Sequence, residues 1–184
     1  MPTPKKPPMK ASDEATLKQL DMAKAQGASY KEALMHMAKE EADDGGEKRA
    51  GDYIVAYAVE KAEGMYHMEK GSLMWHEPAE KENCHIEIAV RDASDNRFIP
   101  GLKVRVTVVD SDDKERGTHE LPFLWHPWLF HYGRNWAVPG EGEYTLKVEV
   151  EAPDFGRHDK ENGKRYAQPV AVEFTGVKIK PGQK

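Results

Sequence analysis

The chain has 184 residues, 39% of them hydrophobic and 32% charged, with a formal net charge of −5. That length fits one domain of ordinary size plus a short appendage, with a heavily solvated surface. The acidic balance excludes a nucleic-acid binder: Lys48–Arg49 and Lys164–Arg165 are isolated pairs, not a patch that neutralises phosphates. The lone cysteine, Cys84, excludes an intrachain disulfide and a thiolate metal cluster, and no apolar run approaches the roughly 20 residues that span a bilayer.

Residues 1–11 alternate proline with lysine and read as a disordered tail. No apolar stretch follows Met1–Met9, so the sequence as given predicts no signal peptide and leaves a cytoplasmic home open. Residues 12–46 predict a helical hairpin appendage. Ser12 caps a first helix carrying Leu17 and Leu20, and Gly27 stops it. Ser29 and Glu32 form an S-x-x-E capping box for a second helix with Tyr30, Leu34, Met37 and Ala38 on one face, ended by Asp43-Asp-Gly-Gly46. From Gly51 the period changes to two: Tyr53, Val55, Tyr57 and Val59 alternate, then Val104 to Val108, Tyr144 to Val150, and Val170 to Phe174. Turn signals at Asp92–Asn96, Asp110–Asp113, Pro139–Gly140 and Glu161–Gly163 separate them. Short strands without interleaved helices predict a mainly β fold over 51–184, an immunoglobulin-like antiparallel β-sandwich.

Four segments carry chemistry. In Cys84-His-Ile-Glu-Ile-Ala-Val90, alternation puts Cys84, Ile86, Ile88 and Val90 on one apolar face and His85, Glu87 and Ala89 on the other. The imidazole and carboxylate then stand about 7 Å apart along that face; the plain alternative is a solvated strand face. Residues 121–136 surround His126 and His131 with Trp125, Trp128, Phe130 and Trp136, and Pro122, Pro127 and Gly133 interrupt any regular element. A loop this apolar packs on the sandwich or on a partner, and low-dielectric surroundings keep its histidines neutral and metal-competent; equally, they simply satisfy backbone carbonyls. In Asp154-Phe-Gly-Arg-His158-Asp159, the histidine sits in what reads first as a surface ion-pair loop. Met65, His67, Met68, Met74 and His76 form a Met/His stretch whose donors suit Cu(I), although methionines more often fill core gaps. His36 and His119 read as structural or exposed.

No H-E-x-x-H, G-x-S-x-G, phosphate-cradling or dinucleotide motif is present, so no enzyme is expected. Several segments, in order, resemble the bacterial periplasmic iron-transport family of dimeric, copper-binding β-sandwich proteins associated with an iron permease. They are Ala58-Val-Glu-Lys-Ala62, His85-Ile-Glu87, Pro100-Gly-Leu102, His131-Tyr-Gly-Arg-Asn135 and Gly156-Arg-His158. The resemblance implies metal ligation by His85, His131 and His158, with Glu87 in or beside the coordination shell and His76 and His126 as additional candidates. It also implies a homodimer, a membrane iron permease as partner, and a periplasmic or cell-surface home. The chain departs from the pattern in having no methionine between Arg116 and His131 and in placing His76 before Glu77-Pro78. Imidazoles with a carboxylate suit Cu(II), iron or, in vitro, Zn(II), and copper affinity leads whatever the cargo is. Two functional readings stand: a metal-binding (copper/iron) protein of an iron-uptake system, or a metal-free ligand- or partner-binding sandwich that uses the aromatic segment 121–136.

Overall fold

The computed structural model describes residues 8–184; the first seven residues of the expected tail lie outside the described residues. One helix, α1 (Leu17–His36), leads into a π-helical turn, Met37–Glu41. Eleven strands follow: β1 (Asp44–Ala50), β2 (Tyr53–Glu60), β3 (Met65–Glu69), β4 (Ser72–His76), β5 (Cys84–Asp92) and β6 (Val104–Val109), then β7 (Glu115–Leu121), β8 (Phe123–Trp125), β9 (Phe130–Trp136), β10 (Gly142–Val150) and β11 (Val170–Ile179). They form a β-sandwich. One sheet has the order β1-β2-β5-β9-β8 and the other β11-β10-β6-β7, both antiparallel, while β3 and β4 make a separate two-stranded hairpin.

Period-two alternation builds the core as expected. Val55, Ile86, Ile88, Val90 and Tyr132 from the first sheet meet Val104, Val106, Val108, Leu146 and Val148 from the second, all buried. Truncating one of the larger members, such as Ile88, to alanine leaves a cavity costing about 2–5 kcal/mol.

The N-terminal region differs from the expected hairpin. Thr16, not Ser12, caps α1, in a reciprocal capping box with Gln19. Ser29 lies mid-helix and bonds back to the Ala25 carbonyl. The helix passes straight through Gly27 because one stripe, Leu20-Ala23-Gly27-Tyr30-Leu34-Met37, continues at 3-4 spacing across the expected break and faces the sandwich. Gly27 is there for close approach: a Cβ would lie 1.7 Å from the Asp95 carbonyl oxygen. Asp44–Gly46, expected to end the hairpin, instead start a strand that runs to Ala50 and pairs along its full length with β2, so the sandwich begins before residue 51. Residues 121–136 also form regular structure, the β8–β9 hairpin, with Gly133 inside β9.

Candidate metal centre

Every residue of β5 is buried, on both faces. The inner face belongs to the core. The outer face carries His85, Glu87 and Ala89, and it is roofed by the end of α1 and the π turn. Small side chains make room for that roof: Ala58 lies opposite Glu87 and Ala56 opposite Ala89, and Met37 packs on Ala58 and Leu129. The plain reading of a solvated strand face is therefore overturned by a helix whose contribution lies outside the strand's own pattern.

β9 runs beside β5 with Gly133 opposite Glu87 and Asn135 opposite His85, which brings His131 onto the same outer face. His131 Nε2 lies 3.3 Å from Glu87 Oε1, and His85 Nε2 lies 3.9 Å from it. One ligand atom from each of the three residues falls within 4.8 Å of the other two. Gly133 permits this convergence, since a Cβ there would meet His85 Nε2 at 2.8 Å, Leu124 Cδ1 at 2.9 Å and His131 Cδ2 at 3.1 Å.

The hydrogen bonds behind the site fix its chemistry. Asn135 Nδ2 donates to the Glu63 carbonyl at 2.8 Å, so its Oδ1 is an acceptor and His85 Nδ1 donates to it at 2.9 Å. His85 thus holds its proton on Nδ1 and aims the Nε2 lone pair at Glu87 and His131, an arrangement suited to a metal ligand. His85 Nε2, Glu87 Oε1 and both His131 nitrogens are buried and have no hydrogen-bond partner. Unsatisfied buried polar atoms are costly, and three residues that each turn one such atom toward the others fit a bound cation. His85, Glu87 and one nitrogen of His131 would hold such an ion.

Burial keeps the imidazoles neutral. It pushes His131 down to about 3, with His85 and His126 adding to the effect, and it lowers His85 as well. Burial also pushes Glu87 up to about 8, assisted by Glu60 and Glu63. The short His131–Glu87 contact is therefore made at neutral pH between a neutral imidazole and a largely protonated carboxyl. Glu60, Glu63 and Glu87 form a second convergent group beside the first, part-neutralised by Lys184 Nζ at 3.0 Å from Glu60 and 3.3 Å from Glu63. Under the π turn a cavity of about 400 Å³ is lined by Met37, Ala58, Glu87 and His131 among others.

The Fe2+ transport protein family matches residues 38–178 of the chain. The chain belongs to that family. Curated relatives include UPF0423 proteins of Brucella abortus and Brucella suis, each 32% identical over 124 residues, which span 58% of this chain and 67% of theirs. The fold is shared with FetP of uropathogenic Escherichia coli at a TM-score of 0.60, 22% identity, and coverage of 74% of this chain and 93% of that one. It is also shared with the copper-reconstituted P19 protein of Campylobacter jejuni at a TM-score of 0.61, 20% identity, and coverage of 76% and 96%. Helix α1 precedes the part that matches the Fe2+ transport family.

Within this family member, two of the three expected histidine ligands converge and the third does not. His158 is exposed in the loop after β10 and lines a different cavity with Glu14, Gln19, Arg157 and Asp159, by the start of α1. Three-histidine ligation within one copy is not formed, because the 151–169 loop packs at the opposite end of the helix from Met37. His126 sits next to the site: its ring centroid is 6.2 Å from that of His131 and its Nδ1 is buried without a partner. His76 belongs instead to the β3–β4 hairpin, 2.6 Å from Glu69. Leu124, opposite His131 across β8 and β9, puts hydrocarbon where the family resemblance implied a thioether. Sequence reasoning missed Asn135, Glu60, Glu63 and Met37. The first two stand inside segments that carried the resemblance, but only strand register reveals what they face.

Proposed function

We propose that this Fe2+ transport family member binds a transition-metal ion, copper foremost, through His85, Glu87 and His131, and acts as a carrier rather than a catalyst in an iron-uptake system. The observation that carries the reading is the convergence of partnerless buried donors from β5 and β9 on one point. Neutral imidazoles with one carboxylate suit Cu(II), iron and Zn(II), and divalent affinity peaks at copper. Copper-bound P19 and copper-bound FetP support the same choice of metal. A periplasmic setting and delivery to a membrane iron permease follow from the family resemblance. No helix among the described residues is long and apolar enough to cross a membrane.

His158 enters the coordination shell only if a second copy carries its loop to the roofed face, so three-histidine ligation and a homodimer are one claim. Calorimetric titration with Cu(II) and Zn(II), paired with sedimentation, tests both. His131→Ala is expected to lower affinity by more than about 100-fold, since losing even a partner behind a ligand costs about 10–100-fold. Unchanged binding in that variant would reject the site. His158→Ala that alters neither affinity nor sedimentation would leave a two-histidine, one-carboxylate centre in a single copy.

The metal-free reading keeps one supporting observation. Trp125 is 71% exposed, and Phe123, Trp128 and Phe130 are also exposed along the β8–β9 hairpin, an aromatic rim suited to a partner surface. It leaves the partnerless donors of His85, Glu87 and His131 unaccounted for.

A further inference from the structure

The β3–β4 hairpin takes no part in the site above. Neither of its strands pairs with either sheet of the sandwich. Its register sets Met65 opposite His76, His67 opposite Met74 and Glu69 opposite Ser72. Side chains alternate along each strand and directly opposed residues share a face. Met65, His67, Met74 and His76 therefore all stand on one face, while Tyr66, Met68, Leu73 and Trp75 stand on the other. Side-chain contacts agree with this division. The His67 and His76 rings lie 5.2 Å apart between centroids, Glu69 reaches across to His76 at 2.6 Å, and Tyr66 packs edge-on against Trp75 at 5.0 Å on the opposite side.

The composition of the first face is specific. Methionine fills gaps when it is in a core, but Met74 is 51% exposed and His67 and His76 are also open to solvent. Packing accounts for none of these three. Two thioethers and two imidazoles, diagonally interleaved on a two-stranded ribbon with the rings 5.2 Å apart, make a donor set rich in soft ligands, with Glu69 on the same face holding His76 Nε2 and leaving His76 Nδ1 free to ligate. Such a set selects Cu(I) over hard or borderline divalent ions.

The geometry points to a second metal site on one face of the solvent-exposed β3–β4 hairpin, in which Met65, His67, Met74 and His76 hold Cu(I). It requires nothing of the buried centre and would exist if that centre bound no metal. It nevertheless stands at the rim of that centre. Glu63, two residues before Met65, takes its place between them: its backbone N–H donates to Asn135 Oδ1 at 3.3 Å and its carboxylate lies 3.8 Å from His85 Nε2. Met65 and His76 pair at the end of the hairpin that follows Glu63 in the chain.

The test uses the full chain under anaerobic conditions, with Cu(I) supplied from a chromogenic chelator of known affinity and methionine methyl groups followed by NMR. Addition of one equivalent is expected to move the Met65 and Met74 methyl signals and leave those of Met22 and Met35, on α1, in place. Met65→Leu/Met74→Leu and His67→Asn/His76→Asn should each weaken Cu(I) binding at least tenfold while Zn(II) binding to the full chain stays unchanged. These side chains lie on a hairpin outside the core, and the circular dichroism of each variant reports whether folding is intact. Met65 and Met74 methyl signals that stay still through two equivalents of Cu(I) would overturn the site. So would hairpin variants with wild-type Cu(I) affinity. Loss of metal from the buried centre alone, as in His131→Ala, is expected to leave the methyl shifts as they are.

Discussion

Asn135 Oδ1 accepts the Nδ1 proton of His85 at 2.9 Å, and because the same amide donates to the Glu63 carbonyl, its orientation is fixed. One side chain thus sets both the tautomer and the aim of a metal ligand whose other nitrogen faces Glu87 and His131.

Asn135→Ala removes that acceptor and leaves the His85 ring free to rotate or to protonate on Nε2. Metal affinity is expected to fall by about 10–100-fold with a smaller change in Tm. Asn135→Asp keeps an acceptor at the same place and should retain more affinity. Competition titration against a chelator distinguishes the two variants, and equal losses would mean that the amide serves only the backbone at Glu63.

Proton competition at the buried centre comes from Glu87 rather than from the histidines. His131, held down near 3, is already neutral at pH 5, whereas Glu87, held up near 8, keeps its proton until mildly alkaline pH. A bound cation must displace that proton. Affinity should therefore keep climbing between pH 6 and 8, by up to about tenfold for each unit, instead of reaching a plateau near pH 6 as ordinary histidine ligands would give. Calorimetry in buffers of different ionisation enthalpy is expected to register about one proton released per ion at pH 7. In Glu87→Gln the release should vanish.

The same two groups shape the stability of the metal-free protein in opposite senses. Folded Glu87 keeps a proton that the unfolded chain releases near 4.5, so its contribution is full below that pH and is lost as pH rises through about 8. Folded His131 refuses a proton that the unfolded chain takes up below 6.5, so stability increases from about 3 up to 6.5. Between 4.5 and 6.5 the two offset each other. From 6.5 to 8.5 only Glu87 acts, and the Tm of chelator-treated protein is expected to drop by a few degrees. Glu87→Gln should flatten that drop; an unchanged slope would place the titrating group elsewhere.

Gly133→Ala inserts a methyl group between the two imidazoles and Leu124. Overpacking of this kind costs about 1–3 kcal/mol. The displaced rings should also lose metal affinity, so the variant is expected to bind ions more weakly even at temperatures where it is fully folded. Circular dichroism melting alongside titration separates the two effects.

The strands of the sandwich were legible because alternation at Val104–Val108, Tyr144–Val150 and Cys84–Val90 reflects a core that buries one face of each. His85 and Glu87 were legible as one outer face from alternation in Cys84–Val90, whereas His131 joined them only through the family resemblance, since its segment read as an irregular loop and strand register with β5 is what places it. The single helix was not legible. Gly27 has the properties of a terminator, and only the loop at Asp95 pressed against it shows that the missing side chain is a space requirement. The position of His158 was equally hidden, because an irregular loop carries no periodicity from which a direction can be read. The β8–β9 hairpin escaped notice because two prolines and a glycine outweighed a strand only three residues long.

Met37 and its π turn lie over the buried donors, beside the cavity that Glu87 and His131 line. An ion that enters this cavity sheds part of its water shell before it reaches the donors. The wall that the helix end gives this cavity bears on how fast an ion comes and goes, while the strands below bear on how tightly it rests. A sequence change in the stripe from Leu20 to Met37 could therefore alter residence time a great deal and leave equilibrium occupancy nearly where it was.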